Sequence, residues 1–151
     1  MNFTIKDVTW SDADAGALRD AQRAEIAAVY GTSDSEPGTP PSAADIAAFV
    51  VAYTPDGTPV ACGGLRRLDA ATGEVKRMYV APGARGSGVA AAVLEALESR
   101  ARDRSWTRLR LETGDRQQAA VRFYTRSGYT PIPAFGAYRD APDSLCFERA
   151  L

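Results

Sequence analysis

The chain has 151 residues and a mass of 16.1 kDa, room for one domain that buries about 70% of its unfolded surface without a metal or disulfide staple. Hydrophobic residues make up 45% and charged residues 25%, and a net charge of −1 supplies no basic field for nucleic acid or acidic membranes. Histidine is absent, which removes the commonest metal ligand, the Ser-His and Cys-His nucleophile pairs and any imidazole base.

Phe3 to Val8 alternates apolar and polar side chains and reads as a first strand. Ser11-Asp12 offers a helix N-cap, and Leu18, Ala21, Ile26, Val29 and Tyr30 then recur at helical spacing until Gly31. Residues 31–42 form a loop by composition, rich in proline and glycine and long enough to suggest a functional role. A short helix is expected over Ala43–Ala48.

Phe49–Tyr53 and Val60–Leu68 are strand-like runs around the Pro55-Asp56-Gly57 turn, and Glu74–Val80 is a third. Residues 49–80 therefore predict an antiparallel meander. After Gly86-Ser87-Gly88 the pattern becomes helical, with Val89, Val93, Leu94, Leu97 and Ala101 on one face and Glu95, Glu98, Arg100 and Arg102 opposite. Thr107–Thr113 alternates again as a strand. Gly114-Asp115 opens a helix carrying Ala120, Val121, Phe123 and Tyr124, which Gly128 ends. A short strand at Tyr129-Thr130, a proline-punctuated aromatic loop over 131–138 and a last strand at Ser144–Arg149 complete the chain. This is one domain over residues 1–151, α/β (α+β) in class, with a mixed, mostly antiparallel central sheet flanked by helices.

Cys62 and Cys146 each lie in an apolar run and read as buried thiols, too few for a disulfide framework or a zinc site, so no metal is expected. Met1–Asp7 has no apolar core of signal-peptide length. No stretch is long and apolar enough to span a bilayer, so the expected compartment is the cytoplasm. No membrane or nucleic-acid partner is expected.

The most informative segment is the strand 74–80, then Arg85-Gly86-Ser87-Gly88-Val89-Ala90, then a helix. Glycines at a strand-to-helix turn let backbone N–H groups converge on one point, and the helix dipole adds positive potential there. The turn reads as a phosphate site, against the plainer alternative of a tight turn. A P-loop is excluded because no Gly-Lys-Ser/Thr triplet occurs. Gly86-x-Gly88-x-x-Ala91 satisfies a dinucleotide fingerprint, with Glu112 following 24 residues beyond Gly88, but an antiparallel meander stands where parallel strands would be needed.

Arg85-x-x-Gly88-x-Ala90, placed after a strand and before a helix, resembles the Arg/Gln-x-x-Gly-x-Gly/Ala signature of the GNAT superfamily of acetyl-CoA-dependent N-acetyltransferases. Ala120-x-x-Phe123-Tyr124-x-x-x-Gly128-Tyr129 is similar to that family's second block, and the order of elements matches over nearly the whole chain. The resemblance implies acetyl-CoA as co-substrate, a cleft formed by splayed strands, and transfer of acetyl directly to a primary amine of a small molecule or peptide. It implies that Arg85, Gly86, Ser87, Gly88, Val89 and Ala90 hold the CoA pyrophosphate. Met78, Tyr79 and Val80 would pair with the pantetheine arm, the Val80 N–H polarising the thioester carbonyl. Tyr124 matches the tyrosine that protonates the departing thiolate. Glu74, six residues before Val80, matches a general-base glutamate of some members, with Glu112 and Glu25 as lesser candidates. Gln117 stands where the family often has Asn. Tyr30, Phe135 and Tyr138 are candidate acceptor-pocket residues, or else pack their own loops. Asp34 and Glu36 are candidates to attract a cationic amine. A homodimer is common for that fold, and the sequence itself leaves the oligomeric state open. Two other readings stay open: a non-catalytic acyl-CoA-binding or regulatory module of the same fold, and a dinucleotide-binding protein.

Overall fold

The computed structural model describes residues 2–32 and 36–151. Seven strands form one sheet: β1 (Thr4–Asp7), β2 (Ile46–Tyr53), β3 (Pro59–Arg67), β4 (Thr72–Val80), β5 (Arg108–Gly114), β6 (Thr130–Ile132) and β7 (Ser144–Ala150). Their spatial order is β1-β2-β3-β4-β5-β7-β6. Every neighbouring pair is antiparallel except β4–β5, which is parallel. The fold class read from the sequence is therefore the one observed. Among the described residues there is no doubly wound parallel sheet, which a dinucleotide binder would need.

Three helices cover the sheet: α1 (Ala13–Tyr30), α2 (Val89–Asp103) and α3 (Gln118–Arg126). Asp12 caps α1 by accepting from the Ala15 N–H at 3.0 Å, and Gly31 closes it in the left-handed conformation. The middle of β2 is buried on both sides. Val50 and Ala52 meet the α2 face with Val93, Leu94 and Leu97, whereas Phe49 and Val51 meet Ala15 and Leu18 of α1. That two-sided cover explains why β2 and β3 read as continuous apolar runs rather than clean alternation. No helix among the described residues is long and apolar enough to cross a membrane.

The structure corrects two readings of local sequence. The helix expected over Ala43–Ala48 is a single turn, closed by the Ser42 carbonyl on the Asp45 and Ile46 N–H groups. Ile46 then enters β2 opposite Arg66, so pairing with β3 overrides the helix propensity of the alanines. Glu98, placed on the solvent face of α2, is buried. Its Oε2 accepts from the Tyr129 hydroxyl at 2.9 Å and from Arg149 at 2.8 Å.

Candidate active site

β4 and β5 face each other over only three registers, Thr72↔Arg108 to Glu74↔Arg110, and then part. β4 continues along β3 as far as Val80, while β5 stays with β7 as far as Gly114. Between them the sheet opens. A bulge sharpens the divergence: Arg77 and Met78 together oppose the single residue Gly63, and Arg77 sits at φ 59°. Gly63 is required there, because a Cβ would lie 2.8 Å from Met78 Sδ and 2.9 Å from Leu97 Cδ1.

The exposed edge of β4 carries a definite polarity. Paired residues in an antiparallel ladder alternate between bonded and non-bonded positions. The Ala81 N–H bonds the Val60 carbonyl, so Val80 and Ala61 form a non-bonded pair and the Val80 N–H and C=O project away from β3 into the opening. Arg85 Nε takes that carbonyl at 3.0 Å, and Gln22 Nε2 takes the Met78 carbonyl at 2.8 Å.

Beyond β4 a short 3₁₀ turn (Pro82–Ala84) leads through Gly86 at φ 78° and Gly88 at φ 88° into α2. No side chain caps the helix, so the N–H groups of its first turn remain available, with the dipole behind them. A Cβ built on Gly83, Gly86 or Gly88 would meet no atom within 4 Å, which leaves the space above this cradle open. Arg85 stands at its rim, ion-paired to Glu25 of α1 at 2.7 Å. The Ser87 hydroxyl turns back onto the Ala84 carbonyl.

Two connected cavities fill the opening. The larger, about 460 Å³, runs from Gly86, Gly88, Val89 and Ala90 past Tyr79 and Val80 to α3. The smaller, about 150 Å³, is walled by Lys76, Glu112, Glu36 and Ser144. Tyr124, Met78, Gln117, Gln22 and Tyr30 belong to both. Tyr124 is only 7% exposed, edge-on to Tyr129, and its hydroxyl makes no hydrogen bond among the described residues. Burial pushes its phenol well above the ordinary range. Phe123 is half-buried and lines the larger cavity. Tyr30 closes the mouth by standing over Gly114, its oxygen accepting from the Arg116 N–H at 3.2 Å.

Three sequence candidates lie elsewhere. Glu74 is 1% exposed and lines neither cavity. Arg66 holds its Oε1 at 3.1 Å, and the Tyr138 hydroxyl donates to its Oε2 at 2.6 Å. Both oxygens are thus engaged inside the fold, and neither cavity is walled by this carboxylate. Tyr138 and Phe135 likewise line neither cavity. They pack edge to face at 5.1 Å against Cys146 beneath the 3₁₀ turn Gly136–Asp140. Glu36 does line the smaller cavity, where it is ion-paired with Lys76 and Arg77. Asp34 lies outside the described residues.

Sequence reasoning missed Gln22, Lys76 and Arg116. Lys76 had a signal: with Glu74 it places charge on one face of a strand whose other face is core, and burial lowers its ammonium pKa to about 8. Gln22 and Arg116 carried none. Both cysteines are free and buried, and burial raises the Cys62 thiol to about 12.

The comparisons with known proteins agree with this geometry. Residues 16–129 match the acetyltransferase (GNAT) family. An IAA acetyltransferase of Azospirillum brasilense is 38% identical over 104 residues, covering 68% of this chain and 67% of the relative. The N-acetyltransferase YsnE of Bacillus subtilis, itself uncharacterised, is 33% identical over 92 residues, covering 60% of this chain and 61% of the relative. A solved structure assigned as an acyl-CoA N-acyltransferase of Klebsiella pneumoniae superposes with a TM-score of 0.84 at 36% identity, covering 99% of this chain and 97% of that one. The fold is also that of a GNAT acetyltransferase of Elizabethkingia anophelis with acetyl-CoA bound, at a TM-score of 0.73 and 16% identity over 99% of each chain. From the two motif blocks, the splayed sheet and a family match over most of its length, the chain belongs to the acetyltransferase (GNAT) family.

Proposed function

We propose that the protein transfers acetyl from acetyl-CoA directly to a primary amine of a small molecule or peptide. One observation carries the reading: an uncapped helix N-terminus and an unpaired strand edge open into one cavity that ends at a buried tyrosine. The cradle at 86–90 suits a diphosphate, which is bound by N–H groups and the helix dipole. The edge of β4 suits an amide-bearing arm that adds as a strand. Val80 presents its N–H where oxyanion charge develops, and Tyr124 gives its proton to the leaving thiolate. Direct attack is favoured because both thiols are buried and Cys62 is held protonated. The same reading places the protein in the cytoplasm.

Calorimetric titration of the purified protein with acetyl-CoA tests the proposal, with NAD in parallel and thiol release measured over a panel of butylamine, tyramine, spermidine and a dipeptide. One equivalent of acetyl-CoA bound and thiol release with at least one amine is the expected outcome. NAD binding without acetyl-CoA binding refutes the proposal. Acetyl-CoA binding without turnover of any amine favours the non-catalytic module.

A further inference from the structure

The closed position of Glu74 leaves the proposed reaction without the base that the motif alone suggested. Resting on that reading of the cleft, we propose that Glu112 receives the protonated amine of the acceptor and removes its proton, so that the acceptor class is a small primary alkylammonium.

Glu112 lies on β5, on the side of the strand opposite buried Leu111 and Thr113, and lines the smaller cavity together with Tyr124. Its Oε2 accepts from the Ser144 hydroxyl at 2.5 Å, while its Oε1 has no hydrogen-bond partner among the described residues. Neighbouring cations are committed elsewhere: Lys76 and Arg77 both pair with Glu36. A largely buried carboxylate that keeps no ion pair of its own is costly unless a ligand supplies the charge. Burial raises its pKa, opposed by the Ser144 hydrogen bond and the charge of Lys76, with Glu74 acting in the same direction as burial. The other titratable groups around this cavity are Asp143 before β7, Tyr30 of α1, Tyr124 of α3 and Glu36.

The step balances. The ammonium gives one proton to Glu112, which releases it to solvent. The freed nitrogen forms the N–C bond as the C–S bond breaks. Tyr124 protonates the departing thiolate, and the second amine proton goes to the phenolate left behind. A base of this kind contributes on the order of 10²–10⁴-fold.

The test compares the wild type with Glu112→Gln at saturating acetyl-CoA, using the amine of the panel that turns over best. At pH 7 the variant should lose about 100-fold in kcat/KM. The ratio of wild type to variant should then shrink towards unity above pH 10, where solution supplies neutral amine. Calorimetry should show acetyl-CoA affinity unchanged within about twofold. A loss that is the same at every pH, or no loss, overturns the inference and leaves the proposed function standing, whereas absent acetyl-CoA binding by the wild type sinks the function itself. A carboxyl-carbon NMR titration of the CoA complex reads Glu112 without turnover: saturating butylammonium should lower its apparent pKa by about one unit, the shift expected when an opposite charge arrives within contact. No shift overturns the inference.

Discussion

Gly63 and Gly64 are consecutive on β3, so a side chain added to each points to opposite faces of the sheet. An alanine Cβ at Gly63 lies 2.8 Å from Met78 Sδ, 2.9 Å from Leu97 Cδ1 and 3.2 Å from Val93 Cγ1. At Gly64 it lies 2.7 Å from the Phe49 ring and 3.3 Å from the Ala48 carbonyl. Both substitutions overpack a filled core, which costs about 2 kcal/mol. For a chain of this length that is a fall in Tm of roughly 4–8 °C for either variant. Their effects on the cleft differ. Relief at Gly63 runs through Met78, which walls both cavities, whereas relief at Gly64 runs through Phe49 under α1. Gly63→Ala should therefore weaken acetyl-CoA binding about tenfold, equivalent to about 1.4 kcal/mol, and Gly64→Ala should leave it within twofold. Thermal unfolding and calorimetry on the same samples decide the matter. Equal destabilisation with equal loss of affinity would refute the assignment of Met78 as the link between sheet packing and cleft shape.

Tyr124→Phe keeps the ring packing and removes only the hydroxyl. Turnover should drop by about 10²-fold or more with acetyl-CoA affinity nearly unchanged, as steady-state kinetics and calorimetry would record. Ser105 follows α2 at φ 61°, its N–H bonded to the Arg102 carbonyl and the Trp106 N–H to the Ala101 carbonyl, a left-handed helix stop that favours glycine. Ser105→Gly should stabilise by about 1 kcal/mol, seen as a rise in Tm of about 2–4 °C. Arg100 holds Asp7 through Nε at 3.0 Å and Nη2 at 2.8 Å, and this contact lowers the Asp7 carboxyl below its ordinary value. A carboxylate lowered on folding contributes above its unfolded pKa and loses that contribution as pH falls through the folded one. Since Asp7 is largely exposed, Asp7→Asn should cost under about 1 kcal/mol at pH 7, a difference that denaturant titrations should show shrinking as pH falls below the ordinary carboxylate range.

Much of the cleft was legible because backbone requirements leave marks in sequence. Gly86 and Gly88 had to be glycine for their positive φ, and the alternation of Leu109 and Leu111 with Arg108, Arg110 and Glu112 marked β5 and its two faces. Tyr124 was found through the likeness of Ala120-x-x-Phe123-Tyr124-x-x-x-Gly128-Tyr129 to the family's second block. Contacts across long stretches of chain were not legible. Nothing near Glu74 announces that Tyr138, 64 residues later, closes over it. Nor does α2 reveal that Arg149 and Tyr129 reach back to bury Glu98. The alanine-rich segment after Ser42 failed for the opposite reason: its local preference was read correctly and was outweighed by the ladder to β3.

The three-register seam between β4 and β5 means that the sheet is two ladders rather than one. β1 to β4 form a unit of consecutive antiparallel neighbours, and β5, β7 and β6 form a second. Backbone amides along the parted edges lack the protection that a continuous ladder would give them, so the molecule is least cooperative along the line where the proposed co-substrate would bind. A bound arm pairing with β4, as proposed, would supply the missing rung. Occupancy of the cleft would then report on the mechanical unity of the whole sheet, and hydrogen exchange at Met78–Val80 would slow with the ligand bound while that of β2 and β3 stayed the same.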